Sequence, residues 1–238
     1  MDPLKILYNS NPPEFSQVSK LIRGDIYNAV LLKDGRMGIC ATQGTKAEPY
    51  LLSLSEINLD IPSHRVQLIA YYNAVFNADI IPDAKQDIFT HIDFHAAGNI
   101  VMIGFFRPLV RKFDAMEIEL KIFDLLNNDE RLCPYEELES ALTMADKVIM
   151  TSTTLANNTF SSMIRLPRED AKVFMLGPST LLHPLMFNNP RIQGLYGMTF
   201  SRNNYKVLEI IENHGGTPDF SPYSQKVCMI RRQTLTAL

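Results

Sequence analysis

KVFMLGPSTLLHP, residues 172–184, passes from a short, mainly apolar run directly into Gly177, Pro178, two hydroxyls and His183. A run of that length closed by turn residues suits a strand buried on both faces. The cluster behind it has little packing value but much hydrogen-bonding capacity. It is either an ordinary turn from strand to helix or one wall of a binding site.

The same alternation extends in both directions from Asn99 onward. Strands are expected at residues 100–103, 118–123, 147–150, 172–175, 193–200 and 227–230, and helices at 108–113, 135–144, 155–164 and 204–213, the last stopping at Gly215 and Gly216. Short apolar strands separated by helices describe a parallel sheet covered on both faces, a Rossmann-like α/β arrangement. The first 97 residues read differently, as α+β. Residues 25–32 and 37–42 form two extended segments joined through Lys33, Asp34, Gly35 and Arg36, which predicts a hairpin. After Pro62, Ser63 is placed to cap a helix that carries Val66, Ile69, Ala70, Asn73, Ala74 and Asn77 at helical spacing, so Asn73 is a candidate buried amide. The expected boundary lies between Ala96 and Asn99, giving a small α+β domain over 1–97 and a Rossmann-like domain over 98–238.

Composition sets limits on function. The chain has 238 residues, 46% hydrophobic and 21% charged, enough for a substantial core. Its formal net charge is -3 and its Lys and Arg residues are scattered, so a nucleic-acid partner is not expected. No leader-like start and no stretch of about 20 apolar residues is present, which predicts a soluble, cytoplasmic protein without membrane association. Cys40, Cys133 and Cys228 stand far apart among apolar residues and read as reduced, packed thiols.

In an open parallel sheet, ligands bind at the carboxyl ends of the strands, where loops and helix N-termini gather. The residues delivered there are Gly104-Phe105-Phe106-Arg107-Pro108, then Asp124, then Thr151-Ser152-Thr153-Thr154 with Asn157 and Thr159, then Gly177-Pro178-Ser179-Thr180. Asp124 follows Gly104 by 20 residues, near the spacing at which an acid meets a ribose hydroxyl. GFFRPL has one glycine where a dinucleotide fingerprint needs three, so an adenosine-type or heteroaromatic ligand fits better than NAD. Phe105 and Phe106 either stack on a flat ring or pack in the core, and Arg107 either clamps an anion or is solvated.

In TSTTLANNT, residues 151–159, helix capping accounts for one or two hydroxyls but not all. Asn157 and Thr159 are mediocre helix formers within the expected helix, which suggests polar work at the mouth of a cleft. His91, Asp93 and His95 alternate and would share one face of a strand, while on a helix His91 and His95 are neighbours at i and i+4, and either geometry could hold a transition metal. His183 is a candidate acid–base group. No nucleophile elbow, HExxH, P-loop or CxxC pair appears, and Ser179 lacks the elbow context of a serine hydrolase.

Together, IGFFRPL, ADKVIMTSTTLANNT and LGPSTLLHP, in that order and spacing, resemble a family described as a heavy-metal chelation domain. AYYNAVFNA and GRMGICAT resemble elements of its N-terminal part. The resemblance implies an enolase-N-terminal-like α+β domain followed by a Rossmann-like domain, with a site between them. It places motif positions on Gly104, Phe106, Pro108, Thr151, Thr153, Thr154, Asn157, Thr159, Gly177, Pro178, Ser179, Thr180 and Pro184, with Asn73 from the first domain. Ser152 stands where the family pattern has glycine, Arg107 where it has a smaller residue, and Leu181 where it has proline. A Cβ and hydroxyl at 152 would narrow the approach of a ligand to the backbone.

The implied function is handling of a siderophore- or pterin-like, polar heteroaromatic compound in an interdomain cleft, linked to heavy-metal chelation. Two versions follow. In the first, an enzyme of condensation, hydrolysis or group transfer uses His183 and Asn157 for catalysis, with Asn73, Gly104, Phe106, Arg107, Asp124, Thr151, Thr153, Thr154, Thr159, Gly177, Pro178, Ser179 and Thr180 binding the ligand. In the second, a non-catalytic module carries a metal or metal chelate. The cofactor is left open, no metal ligand set is assigned, and the expected partners are a small molecule and, at most, a second copy of the chain.

Overall fold

A computed structural model describes residues 2–80, 87–96 and 98–231. The expected boundary includes Ala97, which lies outside the described residues. Helix α1 (Pro3–Ser10) opens with the Asp2 carboxylate accepting the Leu4 N–H at 3.0 Å. Strands β1 (Val18–Arg23), β2 (Tyr27–Leu32) and β3 (Met37–Ala41) then form an antiparallel sheet in that order. The hairpin turn carries Gly35 at φ +89°, a conformation that favours glycine. The reading of the sequence omits β1, because that edge strand is nowhere fully buried and has no clear alternation.

Helix α2 (Pro62–Phe76) packs against β3 and β2. At Gly38 an added Cβ would lie 2.1 Å from the Ala74 nitrogen, so only glycine permits this approach. Ser63 is not the cap: Pro62 takes the first helical position, Ile61 precedes it, and the Ser63 hydroxyl donates to Glu48 Oε1 at 2.7 Å. Helix α3 (Ile88–His91) follows.

The second sheet comprises β4 (Ile100–Ile103), β5 (Lys121–Phe123), β6 (Lys147–Thr151), β7 (Lys172–Leu176), β8 (Ile192–Phe200) and β9 (Ser224–Ile230), in the order β5-β4-β6-β7-β8-β9. Its helices are α4 (Arg107–Ala115), α5 (Leu138–Met144), α6 (Thr153–Ala156), α7 (Phe160–Met163), α8 (Tyr205–Glu212) and α9 (Thr217–Phe220). The expected α/β class is therefore the one adopted, a small antiparallel sheet followed by a mostly parallel one.

Two local differences have physical causes. The expected helix over 155–164 breaks into α6 and α7: Asn158 adopts φ +63°, the Thr159 N–H skips to the Thr154 carbonyl five residues back at 3.0 Å, and the Asn157 side chain accepts from both the Thr159 N–H and its hydroxyl. β9 is antiparallel to β8. The connecting α8 packs on β1 and β2 instead of recrossing the large sheet, so the chain re-enters from the end at which it left.

Alternation along the strands sorts the core into layers. Ala29 and Leu31 of β2 pack with Val207, Leu208 and Ile211 of α8, while Val30 and Leu32 join α2 in the central cluster. Val148 and Met150 of β6 face that central cluster, and Ile149 faces Val110 and Phe113 of α4. Helix α2 is thus enclosed on both sides, which explains why it is buried nearly all round. Among the described residues no helix is long and apolar enough to cross a membrane.

Candidate functional site

The strand order reverses between β4 and β6: β5 lies to one side of β4, and β6, β7 and β8 follow on the other. At such a switch point the strand-end loops diverge and leave a crevice. Gly104 ends β4 at φ +94° and Gly177 ends β7 at φ +127°. The Phe106 ring lies against both. A Cβ at Gly177 would be 3.7 Å from it, and a Cβ at Gly104 would be 3.5 Å from it and 2.9 Å from Thr151 Cβ.

Two cavities open on this ring. The larger, about 650 Å3, is lined by Arg107, Pro108, Ser152, Gly177, Pro178, Ser179 and Tyr196, among others. The smaller, about 400 Å3, is lined by Gln43, Asp124 and Asn127, among others. Tyr27, Phe105, Phe106, Thr151 and Thr153 belong to both. Because Tyr27, Ala41, Thr42 and Gln43 come from the antiparallel sheet, the crevice is walled by both sheets.

Side chains pin these walls. The Gln43 amide donates to Thr153 Oγ1 at 2.7 Å and accepts from Asn157 Nδ2 at 3.0 Å. Ser179 Oγ accepts the Ala41 N–H at 2.8 Å. Asn77 donates to the Thr180 carbonyl at 2.8 Å and accepts the Leu182 N–H at 3.0 Å, fixing the GPST loop from α2. Asp124 accepts the N–H groups of Phe105, Leu126 and Asn127 at 2.7, 2.7 and 2.9 Å, which holds the β4 and β5 loops together. Tyr27 shares a 2.8 Å hydrogen bond with Thr217, and burial pushes its hydroxyl up to about 12, so it is neutral at physiological pH.

Of the residues expected at the site, Gly104, Phe106, Arg107, Asp124, Thr151, Thr153, Gly177, Pro178 and Ser179 meet in the cavity walls. Others lie elsewhere. Asn73 is buried and donates to the Ile39 carbonyl at 2.9 Å, joining α2 to β3. Thr154 donates to the Thr151 carbonyl at 2.8 Å, and Thr159 is occupied with Asn157. Thr180 is turned inward, with its Oγ1 2.7 Å from the Gly177 carbonyl, 2.8 Å from that of Tyr196 and 2.7 Å from Ser152 Oγ. The Ser152 hydroxyl is therefore engaged beneath the loops, and its backbone is ordinary right-handed helical (φ -70°, ψ -9°), so serine narrows the crevice less than its Cβ suggests.

His183 lines neither cavity. Its Nδ1 accepts the Leu185 N–H at 3.2 Å, its ring meets Phe76 edge-on at 4.6 Å, and burial lowers its pKa below the ordinary histidine value. His91, Asp93 and His95 are exposed, while Ile92 and Phe94 between them are buried. Among the described residues no three His, Cys, Asp or Glu side chains are grouped to hold a metal ion, so these residues do not fit a resident metal centre. Gln43, Asn77, Tyr27, Tyr196 and Lys226 were not singled out as site residues. Asn77 shares the α2 stripe with Asn73, but the others come from distant segments with no local signature.

The family described as "Putative heavy-metal chelation" (DUF364) matches residues 87–230, more than half of the chain. No curated protein matches the chain. Two crystal structures of DUF364 proteins of unknown function share the fold. That from Desulfitobacterium hafniense DCB-2 is 18% identical with a TM-score of 0.78, covering 97% of this chain and all of its own. That from Pyrococcus horikoshii is 19% identical with a TM-score of 0.79, covering 97% of this chain and 99% of its own. With the strand-end motifs and the whole architecture in agreement, the chain belongs to the heavy-metal chelation family DUF364.

Proposed function

We propose that this protein binds a small, polar heteroaromatic compound of siderophore or pterin type in the crevice between its two sheets, and that a heavy metal reaches the crevice as a complex of that compound. In this reading residues 1–97 and 98–238 act as two jaws. The observation that carries it is the pair of cavities meeting at Phe106 on the switch point, a flat apolar surface between polar walls. The donor set supports a chelate over a bare ion, since no described cluster of side chains could replace the hydration shell of a metal.

Binding, more than turnover, is what the geometry favours. The groups first expected to do chemistry, His183 and Asn157, line neither cavity, and the hydrogen bonds of Asp124 already hold loops. The test is thermal unfolding with pterins, flavins, nucleosides and metal chelates, repeated with Phe106→Ala. At least one class should stabilise the protein and lose its effect in the variant, while the metal salts alone shift nothing. Failure of every compound to stabilise the unaltered protein would refute the reading.

A further inference from the structure

The larger cavity is lined by more positive than negative charge. Arg107, Lys112 and Lys226 line it against one carboxylate, Asp87, in a chain whose formal net charge is -3. Asp87 is occupied: it pairs with Lys112 and accepts the Phe89 N–H at the start of α3. Burial pushes its carboxyl up, but those hydrogen bonds and the charges of Lys112 and Lys226 bring it below its ordinary value. Arg107 and Lys226 have no ion pair among the described residues. The guanidinium of Arg107 lies over the Phe105 ring at 5.5 Å. Asp129, which feels its charge, is already forked by Arg131 at 2.8 and 3.0 Å.

Two further features of the same wall point the same way. Helix α4 begins there with no side chain capping its N-terminus; Pro108 has no N–H and the Leu109 and Val110 N–H groups reach the Phe106 carbonyl at 2.8 and 3.0 Å, so what the helix start adds is its dipole more than free donors. Tyr196 also lines the cavity. It is 4% exposed, and its buried hydroxyl has no hydrogen-bond partner among the described residues. Leaving a buried donor unpaired is unfavourable; the hydroxyl is shielded from solvent, so a ligand acceptor reaches it when a neighbouring side chain yields. The smaller cavity is the opposite in character, lined by Asp25, Asp124 and the Gln43 and Asn127 amides.

We propose that the larger cavity is an oxyanion subsite, in which Arg107, Lys226, the Tyr196 hydroxyl and the start of α4 bind a carboxylate or phosphoryl group carried by a ring lying on Phe106. This rests on the crevice being the binding site and adds the polarity of the ligand. The oxyanion faces the β7, β8 and β9 ends, and the N–H and O–H groups of the ring face Asp124. Arg107 provides a fork matched to two oxygens, Lys226 a mobile point charge, and Tyr196 a neutral donor.

Two matched, fluorescent pairs test it: pterin against pterin-6-carboxylate, and riboflavin against flavin mononucleotide, titrated at constant ionic strength. The acidic member of at least one pair should bind about tenfold tighter or more, the scale of one charge-assisted hydrogen bond. Which pair responds distinguishes carboxylate from phosphoryl. Arg107→Gln with Lys226→Gln should erase the preference, lowering the affinity of the acidic member at least about tenfold more than that of the neutral one, and Tyr196→Phe should reduce it. Equal binding of both members overturns the subsite and leaves the crevice standing. If neither pair binds, those rings are wrong for the crevice, and inorganic phosphate and benzoate decide the subsite alone. Thermal stabilisation over chloride that disappears in the double variant supports it; an equal response in both proteins overturns it.

Discussion

The hydroxyl pair Ser152 and Thr180 joins the loops after β6 and β7, and its contribution can be worked out from hydrogen-bond bookkeeping. Thr180 Oγ1 faces two carbonyls, Gly177 O and Tyr196 O, that can only accept. Its one proton goes to a carbonyl, so across the 2.7 Å contact Ser152 is the donor. Ser152→Ala removes that bond and orphans no donor, at a cost of about 1 kcal/mol. Thr180→Val keeps the shape but removes the Thr180 bond to a carbonyl, about 1 kcal/mol, and leaves the Ser152 donor buried without a partner, about 2 kcal/mol more, about 3 kcal/mol in all. Both carbonyls stay paired, Gly177 O with the Thr180 N–H at 3.0 Å and Tyr196 O with the Gly177 N–H at 3.1 Å. The double variant has no orphan to pay for and loses only the two hydrogen bonds, about 2 kcal/mol, less than Thr180→Val alone, which gives a coupling of about 2 kcal/mol. Urea unfolding measures all four proteins, with unchanged m values as the condition for comparison. Additive losses, about 4 kcal/mol in the double variant, would refute the donor assignment.

Arg65 is 1% exposed and grips Asp2 through two bonds of 2.8 and 3.1 Å while donating to the Leu59 and Leu155 carbonyls. Arg65→Met should lower the urea stability by about 3–5 kcal/mol, as for other broken buried pairs, and a loss below about 1 kcal/mol would contradict its role. Gly104→Ala forces a side chain into φ +94° and against Thr151, so a loss of about 1–3 kcal/mol is expected, together with weaker binding of any compound that stabilises the protein. For His183 the folded pKa lies below 6.5, so the unfolded chain takes up the proton first as the pH falls. Its contribution is complete above about pH 6.5 and is lost as the pH falls through the lower folded value. His183→Gln should therefore flatten the fall in unfolding free energy as the pH drops below about 6.5; an unchanged slope would count against this assignment.

The parallel sheet was legible because β4, β6 and β7 are short, mainly apolar runs closed by glycine or polar residues, a local pattern needing no knowledge of partners. The strand ends therefore located the crevice as well, through Gly104, Thr151, Thr153 and Gly177. Which hydroxyl faces the crevice was not legible. Ser179 and Thr180 are adjacent and chemically alike, yet one lines the cavity and the other points into the loop core. His183 follows the loop in sequence, yet it lines neither cavity: its Nδ1 accepts the Leu185 N–H and its ring meets Phe76 of α2 edge-on.

The sequence by itself determined the element types, the α/β class and the strand-end loops, because periodicity, turn residues and propensity act over a few neighbouring residues. Only the tertiary structure decided the strand order, the antiparallel β9, and the meeting of Tyr27, Gln43, Arg107, Tyr196 and Lys226 around one ring. Those residues span the chain from position 27 to position 226, and their proximity depends on how helices and sheets pack, which no local pattern encodes.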